Sequence, residues 1–174
     1  MKKFFYLFTS LFLMVILSSC SSSDPVADAP FKWYSIEEAS ALNKDKSKVY
    51  FVDIYTDWCG WCKRMDKATF AQPEIQAYLK KNFIPVKFNA EQKAPVNFVD
   101  KQFNFNQNVG RKGTHDLARM MLSGRMSYPG FAFVNGTGEV IEVIRGFKTP
   151  DEICLLYTSP SPRDATLSRM PSSA

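Results

Sequence analysis

Two cysteines separated by two residues are the side chains best suited to chemistry, and they lie in the sequence WCGWCK at positions 58–63. The apolar run Val49–Tyr55 just before them predicts a strand that gives way to a helix. In the first turn of a helix, side chains at i and i+3 lie close together, so Cys59 and Cys62 can form or open a disulfide. The partial positive charge of a helix N-terminus favours a thiolate, so we expect Cys59 to attack and Cys62 to resolve.

The same cysteines have two alternative uses, as metal ligands or as a static disulfide. Structural zinc needs four ligands, whereas two thiolates can hold Cu(I). The sequence adds one histidine, His115, in a basic stretch after Arg111 and Lys112. We expect His115 at the surface rather than as a ligand or base. We therefore expect no bound metal and no cofactor.

The first residues of the chain have the pattern of an export signal, because two lysines precede the apolar stretch Phe4–Leu17. This stretch is shorter than the ~20 apolar residues of a membrane-spanning helix. Its end, Leu-Ser-Ser-Cys at positions 17–20, resembles the lipobox of bacterial lipoproteins, whose cysteine becomes the lipidated first residue of the mature chain. That resemblance implies a signal peptide at 1–19 and a lipid anchor on Cys20, on a bacterial membrane and facing the periplasm. Residues 20–30 are polar and contain prolines, which predicts a flexible tether.

The end of the chain differs in character from the rest. Residues 154–174 are rich in serine and proline and have no helical or strand period. They also resemble a translated sequencing adapter. We therefore expect a non-native tail at 154–174 and a domain at 31–153 that lacks its native last helix, which Thr149–Glu152 would begin.

The charge of the chain argues against one class of partner. The net charge is +5, and it falls to +2 without the two lysines of the leader and the two arginines and one aspartate of the tail. A nearly balanced domain gives no electrostatic reason to expect nucleic acid as a partner. The length of 31–153 suits one domain with one core.

Alternating strand and helix patterns predict an α/β domain with a mixed sheet. The expected elements are a helix with a capping box from Ser35 to about Leu42, a strand at 48–56, helices at 61–70 and 73–81, a strand at 83–89, a hairpin within 97–106, a helix at 114–122 capped by Thr114, and two strands at 131–134 and 140–144 around the turn at 135–138.

These features together resemble the thioredoxin superfamily over roughly Val49–Gly146. Asp53, six residues before Cys59, matches the family's buried acid. Lys87 lies on the strand where the family often carries a lysine near that acid, and Tyr128-Pro129 matches the cis-proline before the hairpin. The resemblance implies a thioredoxin-like fold with a mixed central sheet flanked by helices. The C-terminal domain of the membrane thiol:disulfide interchange proteins is similar in its cysteine motif.

The resemblance also implies roles for the residues around the cysteines. Asp53 in a strand interior would have a raised pKa through desolvation and could take or deliver the proton of Cys62. Lys87 could tune Asp53. The resemblance further implies that substrate is bound by the remaining positions, Trp58, Trp61, Tyr128 and Pro129.

A cis Pro129 would place the backbone of Tyr128 beside the cysteines, where an extended substrate could add as a strand. Trp58 and Trp61 would flank the site as an apolar docking surface. Two features depart from plain thioredoxin, because Trp61 replaces its proline and the segment Glu91–Met126 is longer.

We therefore expect a membrane-tethered thiol:disulfide oxidoreductase that reduces disulfides in exported proteins through Cys59 and Cys62. Its partners would be those disulfide-containing proteins and an unidentified upstream thiol electron donor, with the membrane reached through Cys20. The alternatives are a disulfide isomerase or oxidase of the same fold, or a non-catalytic metal-binding module that uses the same cysteines.

Overall fold

The computed structural model describes residues 30–158, with side chains as far as Cys154. The expected signal peptide, the lipidation site at Cys20, most of the tether and the tail from residue 159 onwards lie outside the described residues. None of the helices in the described part of the chain has both the length and the apolar content needed to cross a bilayer.

Five α-helices and eight strands follow one another along the described residues. In chain order they are α1 (Ile36–Leu42), β1 (Tyr50–Tyr55), α2 (Gly60–Met65), a π-helical segment (Asp66–Phe70), α3 (Pro73–Asn82), β2 (Ile84–Asn89), β3 (Val96–Phe98), β4 (Lys101–Phe103), β5 (Phe105–Asn106), β6 (Thr114–His115), α4 (Asp116–Met121), β7 (Gly130–Val134), β8 (Val140–Arg145) and α5 (Pro150–Thr158).

The main sheet has four strands in the order β2-β1-β7-β8. β1 pairs with β2 in parallel and with β7 in antiparallel orientation, and β7 and β8 form an antiparallel hairpin. The central strand β1 is the one that leads to the cysteines. This arrangement confirms the predicted α/β fold with a mixed sheet.

Side-chain alternation along β1 divides the core into two layers. Val52 and Ile54 pack into a cluster with residues of α1, α4 and β3. Phe51 points to the opposite face, into a cluster with residues of α2, the π-helical segment, α3 and α5. Because successive residues of a strand face opposite sides, Asp53 shares the face of Phe51, beneath the helix that follows the cysteines.

The segment between β2 and β7 contains two small sheets beside the main one. β3 pairs with β4, and β5 pairs with β6. The first pair confirms the predicted hairpin within 97–106. The hydrogen bond from the amide of His115 to the carbonyl of Ala90, at 2.7 Å, joins the far end of this segment to the end of β2.

Two expectations about the start of α4 are wrong. Its N-cap is His115 rather than Thr114, because the Nδ1 atom of His115 accepts a hydrogen bond from the amide of Leu117 at 3.2 Å. His115 is also fully buried rather than at the surface. Its ring stacks edge-on against Phe88, and its Nε2 atom lies 3.2 Å from the carbonyl of Ala94. The basic residues before it turn outward, whereas the histidine itself turns inward.

The last helix continues past the point at which the sequence is expected to diverge. Thr149 and Glu152 form reciprocal capping hydrogen bonds, and α5 runs on to Thr158. Ile153 is fully buried in the cluster that contains Phe51. A helix therefore occupies the place where the domain is expected to lack one.

Candidate active site

Cys59 and Cys62 form a disulfide at the start of α2. Cys59 is the N-cap residue, and its Sγ atom accepts a hydrogen bond from the amide of Cys62 at 3.1 Å. The turn before it is closed by the amide of Cys59, which donates to the carbonyl of Thr56 at 3.1 Å. Both cysteines are 4% exposed, so the disulfide is almost completely covered by other residues. The sequence prediction that β1 delivers the cysteines to a helix start is confirmed.

Asp53 lies in the middle of β1 and is 2% exposed. In the register of the sheet it pairs with Lys87 of β2 on one side and with Phe131 of β7 on the other. A carboxyl group between two strands, beneath a helix, loses most of its hydration. This burial favours the neutral form of the acid.

The ammonium group of Lys87 is shared between two carboxylates. Its Nζ atom lies 3.4 Å from Asp53 and also hydrogen-bonds Asp66, the first residue of the π-helical segment. The rings of Trp33 and Tyr55 lie 5.4 and 5.2 Å from the same Nζ atom, so the cation has aromatic neighbours as well. The half-buried lysine thus links the strand that carries Asp53 to the helical segment that follows Cys62.

Burial raises the pKa of Asp53 from 3.8 to about 7. The positive charge of Lys87 opposes this rise, whereas the negative charge of Asp66 adds to it. The result is a carboxyl group that gains and loses its proton near neutral pH. Such a group is suited to proton transfer in that range.

The Tyr128-Pro129 peptide bond is cis, as the sequence predicts. Pro129 precedes β7, and its carbonyl accepts a hydrogen bond from the amide of Gly146 at 2.9 Å. Gly130, the next residue, pairs with Ile54 of β1. The cis-proline is therefore tied to both the strand that carries Asp53 and the end of β8.

Trp58 is 56% exposed and yet has partners on several sides. Its indole Nε1 atom donates to Glu91 at 2.8 Å, and its ring packs edge-on against Tyr128 with centroids 5.9 Å apart. The Nζ atom of Lys112 lies 5.7 Å from the ring centroid. These contacts hold an aromatic side chain in place beside the disulfide while one face stays open to solvent.

Trp61 is also 56% exposed, and its contacts lie on the other side of the motif. Its ring centroid is 5.7 Å from that of Phe147, and Arg64 lies over both rings. The structure thus brings Trp58 together with Tyr128, and Asp53 together with Lys87. Trp61 belongs to a separate aromatic pair.

The sequence analysis does not identify several residues that contact the site. Asp66 follows Cys62 by four residues, which is the spacing of neighbours on one helix face, and that spacing could have identified it. Glu91 contacts Trp58 across 33 positions of the chain, and no local pattern indicates such a contact. Phe147 and Lys112 likewise reach the motif only through the fold.

Two further observations bear on other uses of the site. Among the described residues, no group of three or more histidine, cysteine, aspartate or glutamate side chains is placed to hold a metal ion. A cavity of about 630 Å³ lies between α1 and the β3–β4 turn and contains none of the residues named at the site.

The chain resembles known proteins in both sequence and structure. Residues 19–141 match the family model Thioredox_DsbH, described as a protein of unknown function, DUF255. The chain is 29% identical over 75 residues to the thiol:disulfide interchange protein DsbD of Haemophilus influenzae, which covers 42% of this chain and 13% of DsbD. It is 34% identical over 84 residues to an uncharacterized protein of Archaeoglobus fulgidus, which covers 48% of this chain and 63% of that protein. The chain thus spans less than the full length of both relatives.

Two solved structures show the same fold. A DsbH oxidoreductase aligns with a TM-score of 0.52 and 17% identity, over 80% of this chain and 90% of its own. A thioredoxin from Thermus thermophilus aligns with a TM-score of 0.55 and 17% identity, over 81% of this chain and 95% of its own. The thioredoxin-like fold, the cysteine pair at the start of α2 and the match to the family model over most of the chain lead to one assignment: this chain belongs to the Thioredox_DsbH (DUF255) family of thioredoxin-like proteins.

Proposed function

We propose that this chain is a membrane-tethered thiol:disulfide oxidoreductase that reduces disulfides in exported proteins. The observation that carries the proposal is a disulfide at the start of a helix. Beneath that helix lies the carboxyl group of Asp53, whose pKa is about 7. A static disulfide needs no such acid. Thiol–disulfide exchange can use one as a base, because a thiol must lose its proton before it attacks.

The reaction balances as a transfer of two electrons. In the reduced enzyme, the Cys59 thiolate attacks one sulfur of a substrate disulfide and forms a mixed disulfide, and the other substrate sulfur leaves as a thiol after protonation. The Cys62 thiol then loses its proton and attacks Cys59. This step releases the second substrate thiol and leaves the enzyme with the Cys59–Cys62 disulfide.

Asp53 is the group proposed to accept the proton of Cys62. Its pKa of about 7 lets it bind a proton during resolution and release that proton later at neutral pH. Lys87 moderates this property, because its ammonium group lies 3.4 Å from the carboxylate. The cycle closes when a dithiol donor reduces the disulfide of the enzyme.

The docking of substrate is proposed to involve Tyr128, Pro129 and the two exposed tryptophans. Trp58 packs against Tyr128, so an apolar side chain of the substrate could lie against both rings. The backbone of Tyr128 precedes β7 by two residues, and an extended segment of the substrate could pair with it there.

The tether is proposed from the leader sequence, in which Cys20 closes a lipobox-like motif. A lipid on Cys20 would hold the domain near a bacterial membrane, on its periplasmic side. Residues 20–30 would then provide the distance between the anchor and the domain.

Mixed-disulfide trapping tests the proposed activity. The Cys62→Ser variant of the full chain, expressed in bacteria with the leader intact, should accumulate mixed disulfides with exported proteins on non-reducing gels. Cys59→Ser should accumulate none, because it lacks the attacking sulfur. Equal trapping by both variants, or none by either, would contradict the assigned roles.

The direction of the net reaction is tested by insulin reduction with a dithiol donor and by the redox potential of the pair. A reductase should reduce insulin and have a potential near that of thioredoxin, about −270 mV. A potential near −120 mV, with rapid oxidation of reduced substrates, would instead identify an oxidase.

A further inference from the structure

A groove of about 480 Å³ begins beside Trp58 and Tyr128, the residues that precede Cys59 and the cis-proline. Its opposite wall is the loop between β5 and β6, where Arg111 and Lys112 lie. The volume is in the range of sites that bind ligands larger than one side chain. The opposite wall belongs to the segment Glu91–Met126, which is expected to be longer than in plain thioredoxin, so the substrate docking proposed above does not account for this wall.

The loop that carries the two cations has a fixed shape. Gly113 has a φ of +82°, and a Cβ atom there would lie 2.2 Å from a ring carbon of Phe105. Asn106 and Thr114 brace the loop from its two ends through hydrogen bonds to Asn108 and Val109. These contacts constrain the loop on which Arg111 and Lys112 line the groove.

The charged residues of the groove differ in whether they already contact other residues. The three charged residues that line it are Glu91, Arg111 and Lys112. Glu91 already accepts a hydrogen bond from Trp58, and Lys112 lies over the indole ring of Trp58. Arg111 makes no ion pair or hydrogen bond with any other described residue and is exposed. The lining thus holds two positive side chains and one negative side chain, which gives the groove a net positive charge.

We propose that this groove binds an acidic segment of the substrate polypeptide, next to the cysteine that Cys59 attacks. A substrate carboxylate would pair with Arg111, whose planar group suits carboxylates, and an apolar neighbour would lie on Trp58 and Tyr128. The inference rests on the proposed function and gives it a substrate class: disulfide-bonded proteins with Asp or Glu near the reactive cysteine.

The test uses two synthetic disulfide peptides that differ only in two residues beside one cysteine, Asp-Glu in one and Asn-Gln in the other. The second-order rate constant for reduction by the reduced full chain is measured for each at low salt. The acidic peptide should react roughly three to ten times faster, the range expected for one or two partly exposed charge pairs. Arg111→Gln should lower this ratio to near one, and so should high salt. Lys44→Gln, at a separate cavity, is the matched control and should leave the ratio unchanged.

The outcomes separate this inference from the proposed function. Equal rates for the two peptides in the wild type, or a ratio that survives Arg111→Gln, would overturn the acidic-segment assignment while leaving reductase activity in place. Reduction of neither peptide would overturn the proposed function and this inference with it. Oxidised glutathione serves as a small anionic disulfide, and a faster reaction with it than with the acidic peptide would overturn the assignment to a polypeptide.

Discussion

The Nζ atom of Lys87 lies 3.4 Å from a carboxylate oxygen of Asp53, and the same ammonium group hydrogen-bonds Asp66. One cation therefore serves two acids that differ in exposure, because Asp53 is buried and Asp66 is partly exposed. The proton affinity of the buried acid depends on how the lysine divides its charge between them. The pKa of Asp53 thus depends on the helical segment behind the cysteines as well as on the strand.

Substitution of Asp66 and of Lys87 should move the pKa of Asp53 in opposite directions. Asp66→Asn removes a negative charge and leaves Lys87 to Asp53 alone, so the pKa should fall below about 7. Lys87→Gln removes the opposing positive charge, so the pKa should rise. NMR titration of the Asp53 carboxyl carbon in the oxidised protein measures both. Shifts of the same sign in the two variants would contradict this division of charge.

Asp53→Asn should change the pH dependence of stability. Because the folded-state pKa is raised, the folded protein holds the proton more tightly than the unfolded chain, and stability is lost as pH rises from about 4 through about 7. The variant lacks this loss. Relative to the wild type, it should therefore gain on the order of 4 kcal/mol in free energy of unfolding between pH 4 and pH 8, at about 1.4 kcal/mol per pKa unit.

Urea unfolding of the oxidised proteins at several pH values provides this measurement. The comparison is made as a change with pH within each protein, so that any constant effect of the amide side chain cancels. Parallel curves for wild type and variant would show that folding leaves the pKa of Asp53 unchanged.

Cys59 should titrate below the ordinary thiol value of about 8.5 in the reduced protein. Its Sγ atom receives the amide of Cys62 in the oxidised form, and the same donor would stabilise a thiolate. The pH dependence of the alkylation rate by iodoacetamide gives the midpoint, with the urea-unfolded chain as the control. A midpoint equal to that of the unfolded chain would contradict the prediction.

Cys20→Ala should release the protein from membranes. The lipobox-like motif predicts lipidation at this residue, and the bacterial lipoprotein pattern supplies several acyl chains, which bind far more stably than one. Fractionation of cells that express the variant measures the release. Cys154→Ser provides the matched control and should remain with the membrane fraction, and equal membrane association of both variants would argue against the anchor.

Ile153→Ala should lower the free energy of unfolding by about 2–4 kcal/mol, because it leaves a cavity at a fully buried position in the cluster that contains Phe51. Leu42→Ala, at a position 41% exposed, should cost much less. Thermal or urea unfolding compares the two. A small effect at Ile153 would show that α5 contributes little to the stability of the fold.

The parts of the fold that follow from local patterns could be predicted from the sequence. The run before Cys59 is apolar, and this pattern predicts β1. Asn135–Gly138 contains turn residues, and these predict the β7–β8 hairpin. The burial of Asp53 followed from its place in β1. The cis Pro129 came from the family resemblance, since no periodicity indicates a peptide isomer.

Other contacts depend on where distant segments return to the site. His115 follows basic residues in the sequence, yet the chain turns at Gly113 so that the histidine enters the core. The hydrogen bond between Trp58 and Glu91 and the charge sharing at Lys87 each require the packing of separate elements. Sequence periodicity describes which face of an element is buried, but not which partner lies across it.

The hydrogen bond between the amide of His115 and the carbonyl of Ala90 joins the two ends of the segment 90–115, which connects β2 to α4. A loop fastened at its base can change in length or composition with little effect on the strands beneath it, because its ends remain in place. Asp53 and Lys87 belong to those strands, whereas Arg111 and Lys112 belong to the segment 90–115. The residues proposed for proton transfer and those proposed for substrate binding therefore lie on separate elements, so the second set could be changed by engineering with little effect on the first.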